Sequence, residues 1–264
     1  MSGTSSDGKG NGPSSEGYEH EPSGQEALEV RVDHEAQVEP ADDPRLPPEQ
    51  RAWEEVLRQN LGDFYYPAYL KAKQKGAETA WDYVRDDPAL PRLLIIGDSI
   101  ARGYTLTVRH ALAGVANVHR APENCGRSEN ALKKMPVWLG DGHWDLVTFN
   151  FGIHDRETPD DAYVQNLEWI IDQLRRAADR LLWVASTPVP DTAPEYRPGS
   201  VEKLNGIASE LMRRHEIPII DLYQHVQPVL KQYQLPDNCH YIEDGYRYMG
   251  QFVSEQIREQ IDRL

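Results

Sequence analysis

Long apolar runs are missing from this 264-residue chain, and no stretch approaches the roughly 18 consecutive apolar residues of a membrane helix. The amino terminus also lacks a basic segment followed by an apolar one, the pattern of a secretory signal. We therefore expect no membrane span and a soluble protein, cytoplasmic by default. Cysteine is scarce, and Cys125 and Cys239 are too few for a disulfide framework and not spaced as a structural zinc site. Basic residues are outnumbered, 28 Lys and Arg against 43 Asp and Glu, for a formal net charge of -15. An acidic surface repels nucleic acid and anionic membranes, which excludes both as expected partners and leaves a small or neutral substrate.

The acidity is uneven. Residues 1–48 hold eleven acidic and three basic residues, net -8 of the total, and from Ser2 to Glu26 the only large apolar residue is Tyr18. Such a segment cannot bury enough surface to offset its ordering entropy, so we expect a disordered, solvated acidic tail. From about residue 49 the pattern changes. Trp53, Val56, Leu57 and Leu61 recur at helical spacing and predict an amphipathic helix, opening a helical extension over residues 49–90 that packs on the core. The same extension carries Tyr65, Tyr66, Tyr69, Trp81 and Tyr83, read as a packing cluster that also has the makings of a cleft rim.

Beyond Pro91, short apolar runs at Leu93–Ile96, Val115–Val118, Leu146–Phe151, Leu181–Ala185 and Ile217–Ile220 read as strands. Helical patterns fall between them at about Thr105–Ala113, Ser128–Leu139, Pro159–Arg180 and Ser200–Arg214, and a last one closes the chain at Tyr246–Ile261. This alternation predicts an α/β domain over residues 91–264: a parallel sheet of about five strands covered on both faces. In such sheets the ligand site lies at the carboxyl ends of the strands.

Two motifs sit where that rule directs attention. The first strand runs into Gly97-Asp98-Ser99, placing a hydroxyl at a strand end beside a helix start; alone, this pattern is equally an ordinary helix cap. Near the other end, Asp237-Asn238-Cys239-His240 precedes the closing helix. A serine hydroxyl is a weak nucleophile until an imidazole takes its proton, and that imidazole needs a carboxylate to fix its tautomer and stabilise its charged form. Asp237, three residues before His240, suits that task, although alone the pair could also be a turn or two metal ligands. Cys125 and Cys239 each adjoin a candidate site residue and are read as small packing residues. Arg102, Tyr104 and Arg109 are read as exposed helix residues or ion-pair partners, with binding of a polar substrate the alternative. The Pro-rich stretch 191–198 is placed at the active end of the sheet as a substrate-facing loop.

Taken together, residues 91–264 resemble the SGNH (GDSL) hydrolase superfamily. Gly97-Asp98-Ser99 matches its first block, Asn124-Cys125-Gly126-Arg127-Ser128 its second, and Asp237-Asn238-Cys239-His240 with the following Gly245-Tyr246 its last. The third block reads Asn150-Phe151-Gly152-Ile153-His154-Asp155, with histidine where the family places asparagine, as in a subgroup with an Asn-x-Gly-x-His-Asp block. The resemblance implies a three-layer α/β/α, flavodoxin-like fold and a serine esterase with the triad Ser99, His240 and Asp237. It also implies an oxyanion hole from the N–H groups of Ser99 and Gly126 and a side-chain donor, His154 or Asn150. No metal or organic cofactor is required. The expected substrate is a small-molecule or carbohydrate ester, with a lean towards a short acyl chain such as acetyl. The altered third block keeps a non-catalytic binding module as an alternative, and an acyltransferase using the same acyl-enzyme is another.

Overall fold

Five short segments, all but the second mainly apolar, pair side by side to make the centre of the protein. They are β1 (Arg92–Ile96), β2 (Asn117–Arg120), β3 (Trp144–Phe149), β4 (Ala178–Val184) and β5 (Ile219–Ile220). All neighbours run parallel in the order β2-β1-β3-β4-β5, with Leu93 opposite both Val118 and Leu146 and Ile96 opposite Phe149. The computed structural model describes residues 39–193 and 197–263. The acidic tail expected over residues 1–48 therefore falls for the most part outside the described residues, as do residues 194–196 of the Pro-rich loop.

Alternate strand side chains face opposite ways, and two apolar layers follow from that. Leu94, Ile96, Val147 and Phe149 pack against α4 (Ser128–Leu139), α5 (Asp160–Ala177) and α6 (Ser200–Arg214). Leu93, Ile95, Leu146 and Leu182 pack on the other face against α3 (Ser99–Ala111) and α9 (Glu243–Ile261). This is the three-layer arrangement with a central parallel sheet. Among the described residues no helix is long and apolar enough to cross a membrane.

Ahead of the sheet lie α1 (Pro48–Asn60) and α2 (Gly62–Gln74), whose Leu57, Leu61 and Tyr69 close over Trp81. Trp53 Nε1 donates to the Trp81 carbonyl at 2.7 Å. Arg109 of α3 fastens this segment to the core, donating to the carbonyls of Thr79, Ala80 and Val118. Arg109 and Tyr104 are thus not exposed helix residues: Tyr104 is buried, and the Arg109 guanidinium is spent on backbone oxygens.

Element boundaries differ from the sequence pattern in places. The helix after β1 starts at Ser99 instead of Thr105, because Asp98 Oδ1 accepts from the Ile100 and Ala101 N–H groups and caps it. The helical pattern through Arg180 ends at Ala177, where pairing of Ala178 with Trp144 draws the chain into the sheet. Two short helices after β5, α7 (Leu222–Val226) and α8 (Leu230–Tyr233), have no counterpart among the expected elements.

Candidate active site

β1 and β3 are neighbours whose crossovers leave to opposite faces, and the crevice beyond their carboxyl ends is where an open α/β sheet takes its ligand. The chain from β1 enters it as Gly97-Asp98-Ser99. A Cβ on Gly97 would stand 2.7 Å from that of Ala101, so only glycine lets strand and helix meet this closely. Ser99 is 7% exposed, and its Oγ lies 2.9 Å from His240 Nε2. The two residues are 141 positions apart in the sequence and within hydrogen-bond reach in space.

The imidazole's other nitrogen, Nδ1, lies 2.7 Å from Asn238 Oδ1, which also accepts the His240 backbone N–H at 3.0 Å. Cys239 Sγ is 3.6 Å from the same nitrogen. Asp237 is exposed, holds a left-handed backbone with φ 52°, and its carboxylate accepts no hydrogen bond among the described residues. The geometry therefore brings Ser99 and His240 together and sets Asn238, not Asp237, at Nδ1.

The second loop is tied to the first by Cys125, whose N–H donates to the Gly97 carbonyl at 3.2 Å. Gly126 follows with φ 65°, and a Cβ there would stand 3.0 Å from Asn130 Nδ2, which itself donates to the Cys125 carbonyl. Burial pushes the Cys125 thiol up to about 12, so it stays a neutral packing group, and it is not joined to Cys239.

The third loop commits Asn150 and Asp155 to structural contacts and leaves His154 partly exposed. Asn150 Nδ2 donates to the Val184 carbonyl at 2.7 Å and to Ser186 Oγ at 3.1 Å, so both amide protons are engaged. His154 is a third exposed, and its Nε2 lies 4.0 Å from Asp98 Oδ2, near the residue before Ser99 but too far for a hydrogen bond. Asp155 is fully buried and accepts from Ser128 N, Ser128 Oγ at 2.6 Å and Thr158 Oγ1 at 3.0 Å. It thus anchors the start of α4, just after Gly126. Burial raises the Asp155 carboxyl, against the lowering effect of the Ser128 and Thr158 hydrogen bonds.

Sequence reasoning did not single out Arg120. At the end of β2 and 2% exposed, it donates from Nη2 to the carbonyls of Gly97 (3.1 Å) and Asp98 (3.0 Å), holding the peptide units before Ser99. Burial lowers its pKa, opposed by Cys125, Tyr104 and Asp98. No sequence signal marked it, since β2 reads Asn117-Val118-His119-Arg120 and an arginine at its end looks like any solvated charge.

A model of the GDSL-like lipase/acylhydrolase family matches residues 95–248, more than half of the chain. The chain belongs to that family. The GDSL-like region takes in Ser99, Gly126, His154 and His240 and leaves α1, α2 and Trp81 outside it. No curated protein matches the sequence. Among solved structures, the lipase/acylhydrolase from Enterococcus faecalis is 22% identical with a TM-score of 0.58, covering 64% of this chain and 96% of that one. The acetylxylan esterase from Geobacillus stearothermophilus is 15% identical with a TM-score of 0.53, covering 63% and 94%. The acetyl xylan esterase AlAXEase is 14% identical with a TM-score of 0.55, covering 63% and 99%. At these identities the likeness establishes the GDSL-like fold; membership of the family supports hydrolase chemistry of the esterase type.

Proposed function

We propose that this protein is a serine esterase that cleaves a carboxylic ester through an acyl-enzyme on Ser99. The observation that carries the reading is the 2.9 Å approach of Ser99 Oγ to His240 Nε2 at the carboxyl edge of the sheet. His240 takes the Ser99 proton at Nε2 as Oγ attacks the ester carbonyl carbon. The resulting oxyanion is received by the backbone N–H groups of Ser99 and Gly126 and by the His154 ring. Asn150, with both amide protons engaged, is the weaker candidate for that last donor. His240 then returns the proton to the departing alkoxide as the carbon–oxygen bond breaks. Water, deprotonated by the same nitrogen, attacks the acyl-serine and frees the acid.

The third member of the set is Asp237 by motif and Asn238 by geometry, and the 2.7 Å contact favours Asn238. An amide oxygen accepting Nδ1–H fixes the tautomer as a carboxylate does, without supplying a negative charge to the imidazolium. For the substrate, the two acetylxylan esterases among the structural relatives favour a short-chain ester, with a carbohydrate acetyl ester the leading case.

The test is steady-state and burst kinetics with p-nitrophenyl acetate. We expect turnover in wild type and a loss of about 10⁴-fold or more in both Ser99→Ala and His240→Ala. Turnover surviving in clean Ser99→Ala protein would refute the assignment. Absence of turnover in wild type on both acetyl and octanoyl esters would favour the binding module.

A further inference from the structure

Along α3, the helix that begins at Ser99, the protein holds an open cleft of about 700 Å³. Its floor is the outer face of α3 at Arg102 and Leu106. Tyr65 of α2 and Trp81 form one wall, Tyr246 and Arg247 of α9 the other. Two lining residues neighbour the pair along the chain: Arg102 is one helical turn beyond Ser99, on the same face of α3, and Tyr241 directly follows His240. Tyr65 and Trp81 precede residue 95, so this wall comes from the chain outside the matched family region.

Two cationic and two anionic side chains line the cleft, Arg102 and Arg247 against Glu78 and Glu243, but they are not matched pair by pair. Arg247 is paired with Glu243 at 2.9 Å and Asp244 at 2.7 Å, and Glu78 with His110 at 2.8 Å. Arg102 makes no ion pair and no hydrogen bond among the described residues. Its Nε is buried without a partner, while its terminal nitrogens are not buried and are left to the cleft. Its guanidinium stands 5.5 Å from the Tyr65 ring and 5.9 Å from the Trp81 ring, the long end of cation–π range, where little of its bonding capacity is used. In a chain of formal charge -15, a half-buried guanidinium flanked by aromatic rings and left without a carboxylate is a site prepared for an anion from outside. The rings add flat surfaces, apolar on the face, that suit a sugar or aryl ring.

We propose that this cleft holds the non-reacting part of the ester and that Arg102 receives a carboxylate carried by it, which makes the substrate an anionic ester, such as an acylated acidic sugar. The inference rests on the esterase reading and narrows its substrate class. Arg102 is a binding residue in this scheme and takes no part in the bond changes at Ser99.

The experiment compares 4-acetoxybenzoate with 4-acetoxybenzamide, two aryl acetates that differ in the charge of the distal group. It is run on wild type, Arg102→Gln and Arg102→Lys, and calorimetry on the same proteins compares methyl glucuronoside with methyl glucoside. Any leaving-group difference between the esters is common to all three proteins. We expect wild type to favour the carboxylate ester in kcat/KM by about tenfold, the value of one charge-assisted contact. That preference should fall towards unity in Arg102→Gln, survive in part in Arg102→Lys, and weaken in wild type as salt is raised. The same ratio in wild type and Arg102→Gln, with glucuronoside binding indifferent to Arg102, would overturn the anion subsite and leave the esterase standing. Hydrolysis of neither ester, with glucuronoside binding still dependent on Arg102, would overturn the esterase reading and keep the subsite.

Discussion

An imidazole serves as a base only in the tautomer that leaves Nε2 unprotonated, so the group at Nδ1 of His240 governs what Ser99 can do. With Asn238 Oδ1 in that place, Asn238→Ala should lower kcat on p-nitrophenyl acetate by about 100-fold with little change in KM. Asp237→Ala should change it less than about threefold, since that carboxylate faces solvent. Asn238→Asp should keep or raise kcat by adding the missing charge, and a large loss confined to Asp237→Ala would return the role to the aspartate. His154→Ala and Asn150→Ala separate in the same way. The first should cost about 100-fold in kcat at near-native stability, the signature of a lost oxyanion donor. The second should lower the thermal midpoint, because it strands the Val184 carbonyl and Ser186 Oγ. At this scale the meeting of Ser99 with His240 was legible in the sequence, as a hydroxyl at a strand end and a histidine just before the closing helix, and the two lie 2.9 Å apart. The partner at Nδ1 was not, because spacing alone does not reveal that Asp237 adopts φ 52° and turns outward while its neighbour turns in.

At the scale of elements, the site depends on how closely α3 meets α9. A Cβ on Gly103 would fall 2.2 Å from the Tyr246 ring, and one on Gly250 would fall 2.5 Å from Thr107 Cβ, so each helix offers a glycine to the other's side chain. Gly103→Ala must push Tyr246 aside or part the helices, and should cost about 1–3 kcal/mol in denaturant unfolding while raising KM for substrates that fill the cleft. An unchanged unfolding midpoint would show that Tyr246 swings away freely. Strands and helices were legible here because apolar runs and helical periodicity report burial directly. The start of α3 at Ser99 was missed because Gly97-Asp98-Ser99 breaks the apolar pattern, and only the Asp98 cap shows that the helix has already begun. The glycine contacts between α3 and α9 carry no local signal, since they join residues more than 140 positions apart.

At the scale of the whole molecule, the question is how a two-helix extension stays on the core when its own apolar cluster is small. Its interior holds a carboxyl as well: Glu54 is 2% exposed and accepts a hydrogen bond from Tyr69 Oη at 2.7 Å. Burial raises the Glu54 carboxyl above its ordinary value, with Tyr69 and Lys73 acting the other way. The folded state therefore holds this proton more tightly than the unfolded chain does. The stability that follows is fully present below the unfolded carboxyl's pKa and is lost as pH rises through the folded one, so at pH 7 the ionised group weighs against the fold. Glu54→Gln keeps an oxygen for Tyr69 and removes that titration. The difference in thermal midpoint between variant and wild type should therefore shift in the variant's favour between pH 4 and pH 7, whatever its sign at pH 4. A difference independent of pH would mean that Glu54 ionises as readily folded as unfolded, and that Tyr69 and Lys73 fully offset its burial. Because Trp81 belongs to the same apolar cluster and walls the cleft, loosening α1 and α2 should also erode discrimination between the two acetoxy esters before it touches turnover at Ser99.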